Sequence, residues 1–143
     1  MAGTVAVVSS RIARLAVNKY VVSWTADASG VVSVGTVTLG DGWIQQVKFI
    51  PAVSPGTPPT GGYKFTLIDS DGVDVLIALG NGASGLSATV KQVGCPLLHD
   101  TFEATGANPC MKVYLDGGDY IPTVSGSGNA GQGSVAIYIS DQS

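Results

Sequence analysis

The chain has 143 residues, enough for one domain with a full core, but only 12% of them are charged, against about 25% in an average globular domain. With 20 glycines, 7 prolines and Glu103 as the sole glutamate, it lacks the side chains that coat helices, which excludes a helical bundle or coiled coil. A net charge of −3, from ten acidic residues against seven scattered basic ones, excludes the basic stripe of a nucleic-acid binder and the polybasic patch of a membrane-surface protein, and no apolar run approaches the ~20 residues of a bilayer-spanning helix.

Met1 to Val8 has no basic segment ahead of its apolar residues, so it does not read as a secretory signal, and synthesis in a cytoplasm is expected. Ser10 to Val17 fits either a short helix or an arm strand. Tyr20, Val22, Trp24 and Ala26 then share one face of a strand, with Ser23 and Thr25 on the other. Asp27-Ala28-Ser29-Gly30 supplies a turn. Val31 to Leu39 is a β-branched run whose alternation slips at Gly35, as at a bulge. After Gly40-Asp41-Gly42, the spacing predicts that Trp43, Val47 and Phe49 line one face, with Gln46 and Lys48 opposite.

Ser54 to Gly62 is a Pro/Gly loop too well bounded to be a domain linker. Tyr63, Phe65 and Leu67 alternate with Lys64 and Thr66. Asp71-Gly72, a strong hairpin dipeptide, predicts a return strand through Val73, Val75, Ile77 and Leu79. Leu86 to Val93 fits a further strand. Cys95 to Cys110 is irregular, after which Met111, Val113 and Leu115 resume the alternation. Tyr120 to Val124, a Gly/Ser loop, and Val135, Ile137 and Ile139 read as a last hairpin. Many short strands with tight turns predict an all-β, antiparallel β-sandwich or jelly-roll-like single domain. Residues 1–18 read as an N-terminal arm or extra strand, and 19–143 as the sandwich.

The chemical motifs are weak. Gly80 to Gly85 and Gly126 to Gly131 both fit G-x-G-x-x-G, but each leads into a strand sequence rather than the helix whose amides would hold a pyrophosphate. Both are expected to be hairpin loops. Asp69, Asp71 and Asp74 are close enough in sequence to suggest calcium, yet the EF-hand order is not met, and an acidic turn is the simpler reading. Cys95, His99 and Cys110 lack the paired spacing of a zinc site, and a fourth ligand would have to be Asp100 or Glu103. Nor does a Cys/His dyad in the least regular segment have a residue to orient the imidazole. No catalytic residue, metal or cofactor is therefore expected. Cys95 and Cys110 form a disulfide if their Cα atoms lie about 4.4–6.8 Å apart and stay free in a reducing cytoplasm; both states are open. Among the aromatics, Trp24, Trp43 and Tyr63 fall on apolar faces, while Tyr114 and Tyr138 fall on the opposite faces and are expected at the surface.

An all-β chain with few charges and a mean hydropathy of +0.33 has little with which to guard its sheet edges, so it is expected to work as a subunit covered by neighbours. The run Lys19 to Gly30 (KYVVSWTADASG) resembles a family of small virion proteins of tailed bacteriophages. The resemblance continues in Val47 to Pro51, in Pro58-Pro59-Thr60 followed by Tyr63, and in Ile68 to Leu76, covering about residues 19–85, with a similar strand near Val135 to Ile139. It implies a non-enzymatic structural role on the virion, most plainly a capsid decoration (cement) protein on the outer surface of the head, with the major capsid protein and further copies of itself, as a homotrimer, for partners. A tail or fibre protein that binds a receptor is the alternative within the virion. A carbohydrate-binding module is the alternative of another class, with a glycan as partner. Val5, Val7, Val8, Arg11, Ile12, Arg14 and Leu15, outside the resemblance, are the expected capsid or subunit contacts.

Overall fold

Alternation of β-branched and aromatic residues with polar ones builds eleven strands in the computed structural model, which describes residues 3–12, 16–99 and 110–141. They are β1 (Thr4–Ile12), β2 (Val17–Thr25), β3 (Val37–Leu39), β4 (Gly42–Pro51), β5 (Lys64–Ile68), β6 (Gln92–Gly94), β7 (Leu97–His99), β8 (Cys110–Lys112), β9 (Tyr114–Leu115), β10 (Gly118–Ser125) and β11 (Gln132–Ser140). No helix occurs among the described residues. The larger sheet runs β1-β2-β11-β4-β6, with β9 also pairing β4; the smaller runs β3-β10-β5; β7 and β8 form a separate pair. Every strand pairing is antiparallel. The protein is an all-β sandwich.

The core lies between the two sheets. The larger contributes Val22, Trp24, Ile44, Val47, Phe49, Val135, Ile137 and Ile139, and the smaller Val37, Leu39, Phe65, Leu67, Tyr120 and Val124, all buried. Phe49 and Phe65 meet edge-on across the layers with ring centroids 6.1 Å apart, and Trp24 leans on Tyr63 at 5.4 Å. Such pairs are worth about 0.5–1.5 kcal/mol beyond the area they bury. The expected inward faces of β2, β5 and β11 are found.

Five local expectations are corrected. Val31 to Leu39 is not one strand: Val32 makes a single bridge to Val124, Gly35 takes φ of 102°, and only Val37–Leu39 pairs. Trp43 does not share a face with Val47 and Phe49. Tyr138 stands opposite Gln46 and Ile139 opposite Ile44, so Gln45 is an extra residue, a bulge that turns Ile44 inward and Trp43 outward.

Asp71-Gly72 turns the chain but no return strand follows. After one bridge between Ile68 and Asp74, the Asp74 carboxylate takes the amides of Leu67 (3.0 Å), Leu76 (3.1 Å) and Ala78 (3.0 Å), winding residues 74–78 into turns. An Asp side chain offering acceptors to nearby amides competes with the ladder in this way. In the fourth case Leu86 bridges Tyr63, after which the Ser87 hydroxyl accepts from Thr89 and Val90 and ends the strand.

The last correction concerns the end of the chain. β10 and β11 are not a hairpin, because they lie in different sheets. The glycine loop between them crosses the sandwich, tethered where buried Ser127 donates to the Gly30 carbonyl (3.1 Å) and the Thr60 amide donates to the Ser127 carbonyl (2.7 Å).

Candidate functional site

Strand register assembles the outer face of the larger sheet. One row across it reads Val8, Val21, Ala136, Lys48 and Val93; the next reads Ser10, Lys19, Tyr138 and Gln46. Lys19 stands directly opposite Tyr138, and Lys48 lies diagonally from it. Both ammonium groups reach over the phenol ring, at 5.7 and 5.1 Å from its centroid, within the range of cation–π attraction. Lys91, Ile50 and Val93 complete a shallow depression of about 340 Å³ around Tyr138. These two rows carry no carboxylate. Three of the seven basic residues therefore gather on one face of an acidic chain.

At one end of the same sheet the bulge at Gln45, braced by a hydrogen bond from its side chain to the Ser140 hydroxyl, sets Trp43 edge-on against Tyr114 with centroids 5.1 Å apart. Tyr114 is 47% exposed, and its hydroxyl donates to Asp41 at 3.4 Å. Loss of water around the ring, then the nearby carboxylates of Asp41 and Asp116, push the Tyr114 phenol up. Tyr120 is raised too, by burial first and then by Asp116. Asp69, Asp71, Asp116 and Asp119 line the adjoining cleft of about 250 Å³. The Asp69 carboxylate is already occupied by the amides of Asp71 and Val73, both at 2.9 Å, and that of Asp74 by the three amides named above. The acidic run is a turn held by its own side chains. Among the described residues, no group of three or more His, Cys, Asp or Glu is placed to hold a metal.

The glycine motifs serve close packing rather than hairpins. Phe49 and the Phe65 carbonyl press on Gly80, Gly85 lies against Gly62, and Gly128 against Thr60. Cys95 carries a free, half-buried thiol 3.8 Å from the Ile44 carbonyl. His99 and Cys110 face each other in the β7–β8 register; their side chains, with Asp100 and Glu103, lie outside the described residues. Of the seven expected contact residues, Val5 and Val7 rest half-buried against the core and Val8 is 70% exposed. Arg11 is tied to Asn18 (3.2 Å) and Asp141 (3.1 Å), and Ile12 is half-buried. Arg14 and Leu15 lie outside the described residues.

Tyr114 lies at the surface and Tyr138 is half-buried on the outer face, as their strand parity indicated. Trp43 is half-buried on the outer side, where parity had put it in the core. Sequence reasoning missed the Lys19–Tyr138–Lys48 group. Its parity signal was present, since all three fall opposite their strands' apolar faces, but the adjacency of β2, β11 and β4 was not.

Comparison with known proteins adds no relative: no family model, no curated protein and no solved structure matches the chain. Among the described residues no helix is long and apolar enough to cross a membrane.

Proposed function

We propose that this protein is a non-enzymatic structural component of a tailed-phage virion, a decoration protein that binds the outer surface of the assembled head beside the major capsid protein and copies of itself. The observation that carries the reading is the resemblance over residues 19–85, from the Lys19 to Gly30 run through Ile68 to Leu76. A sheet face with an apolar row, a lysine group and an open edge strand gives such a protein a surface for docking. Its mechanism is mass action. A protein that binds only the assembled lattice stabilises it by RT ln(1 + [L]/Kd), about 2.7 kcal/mol per site when free protein stands at a hundred times Kd.

The test is to add purified protein to heads that lack it, count bound copies by quantitative mass spectrometry, and melt the particles. Near-stoichiometric binding to the major capsid protein with a raised melting temperature supports the reading. A few to a few tens of copies per virion would move the protein to the tail or a vertex, and no association with particles overturns both.

A second reading has one observation of its own. The Trp43–Tyr114 pair, with Asp41 hydrogen-bonded beside it, offers an aromatic surface and a polar rim of the sort a glycan-binding module uses. A glycan array read against Tyr114→Ala tests it: loss of a reproducible sugar signal in the variant supports glycan binding, and no signal from the wild type removes it.

A further inference from the structure

We infer that β1 is a pairing edge for a second copy of this chain, and that two copies join antiparallel about a twofold axis through Val8. β1 pairs β2 over nine consecutive residues without a bulge, and no described strand pairs its other side. The other long outer edge is closed. β5, at the rim of the smaller sheet, sends the Phe65 amide to the Gly80 carbonyl (2.8 Å) and the Leu67 amide to Asp74 (3.0 Å), so its outward donors are occupied within the chain. The remaining rim strands are short: β3 and β6 have three residues each and β9 has two.

β1 also lacks the devices that keep an edge from pairing. Thr4 to Ile12 holds no proline, lysine or glycine, and a long regular edge without them is a template for another strand. Its single charge, Arg11, is held by Asp141 of its own chain at 3.1 Å.

The sequence of β1 selects the occupant. Turned antiparallel on itself about Val8, the strand sets Thr4 opposite Ile12, Val5 opposite Arg11, Ala6 opposite Ser10, Val7 opposite Ser9, and Val8 opposite Val8. All nine residues pair and no like charges stand opposite. Odd positions meet odd and even meet even, so the core-facing side of one copy continues into that of the other. Val5 and Val7, half-buried at the rim of the core, gain a covering strand. Val8, 70% exposed, gains the only partner of its own size that this register offers on the outer face. The apolar row Val8, Val21, Ala136 then runs unbroken through both copies.

A twofold edge contact closes at two copies, whereas the expected homotrimer needs a head-to-tail contact. The inference stands on the fold and does not depend on the virion reading.

The experiment is sedimentation of the full chain alongside cysteine crosslinking. The wild type should sediment as a dimer. Val8→Cys should form a disulfide-linked dimer on mild oxidation beyond any produced by the native cysteines in the wild type, because opposed residues lie about 4.5–5.5 Å apart between Cα atoms. Ser10→Cys should not crosslink to itself, since its opposite number is Ala6, while a mixture of Ala6→Cys and Ser10→Cys should crosslink. Val8→Lys, at an exposed position that leaves the fold intact by circular dichroism, should weaken the dimer about fivefold or more through like charges in register, and mixing it with Val8→Glu should restore it.

A monomeric wild type, a dimer indifferent to Val8→Lys, or crosslinking at Ser10 instead of Val8 overturns the inference. A dimer that follows the pattern but does not bind heads leaves the inference standing and removes the proposed function. A monomer that binds heads does the reverse.

Discussion

Val135, Ile137 and Ile139 stand at every second position of one run, and Val73, Val75, Ile77 and Leu79 at every second position of another, with Leu76 also apolar between them. The first run is the central strand of the larger sheet, flanked by β2 and β4 along its length. The second winds through turns, with Ile77 at φ of 52° and Ala78 at 59°, Leu76 fully buried and Ile77 43% exposed. Apolar residues recur at every second position in both runs; the competition for backbone hydrogen bonds differs. β11 has a ladder on each side, whereas Val73 to Leu79 contains Asp74, whose carboxylate takes three amides before a ladder can form. Alternation thus selects a face, and hydrogen-bond partners decide whether the segment is a strand.

The largest test of that contrast is the same truncation in both regions. Ile137→Ala empties a site locked between two ladders, where the surroundings cannot close in, and should cost about 3–5 kcal/mol. Leu76→Ala removes a side chain that is as fully buried, but from a wound segment that can settle, and should fall nearer about 2 kcal/mol. Urea denaturation of both variants checks the difference. Equal losses would mean that residues 74–78 are as rigid as the central sheet.

The extra residue Gln45 sharpens the comparison from within a regular strand. Deleting it restores strict alternation across β4 and leaves Ile44 inward and Trp43 outward, because Ile44 already stands opposite Ile139 and Gln46 opposite Tyr138. Ile44, fully buried, and Trp43, half-buried, keep their places, so the deletion should cost about 1–2 kcal/mol, from the lost hydrogen bond of Gln45 to the buried Ser140 hydroxyl. Tryptophan emission should stay in place, and a blue shift, with Trp43 leaving water, would count against this register.

This is also where sequence reading reaches its limit. The fold class and the inward faces of β2, β5 and β11 follow from period two alone. The position of Trp43 depends on a one-residue bulge that no local signal marks. The assignment of β10 and β11 to different sheets rests on long-range contacts of the Gly126 to Gly131 loop with Gly30 and Thr60. The Lys19–Tyr138–Lys48 group depends on which strands are neighbours, so its members were legible singly and not as a cluster.

Removing the competitor gives a smaller effect than emptying the core. Asp74→Ala frees the amides of Leu67, Leu76 and Ala78, and should cost about 1–2 kcal/mol, since some of them regain water or ladder partners. Asp74→Asn keeps an acceptor for two of the three and should lose less. Hydrogen exchange provides the local readout. The three amides should exchange faster in the alanine variant, while Val135 to Ile139 keep their protection at a given margin below global stability. Uniform acceleration would show that the turn and the central sheet open as one unit.

The weakest effect appears only in alkali and reads the core where the two regions meet. Tyr63, which precedes β5 and packs on Trp24 of β2, has its phenol pushed up to about 12 from the usual 10 by burial. Below pH 10 both folded and unfolded chains carry the proton, so the group contributes no pH dependence there. Between about 10 and 12 the unfolded chain releases its proton first, so stability falls as pH rises, by up to about 1.4 kcal/mol per unit. Tyr63→Phe removes this ionisation and should flatten the decline without abolishing it, because Tyr120 is raised as well. Urea midpoints of both proteins at about pH 8, 10 and 11 give the comparison. Parallel declines would mean that the Tyr63 hydroxyl reaches water in the folded chain, and that the seam between the sheets is looser than the packing of Trp24 on Tyr63 implies.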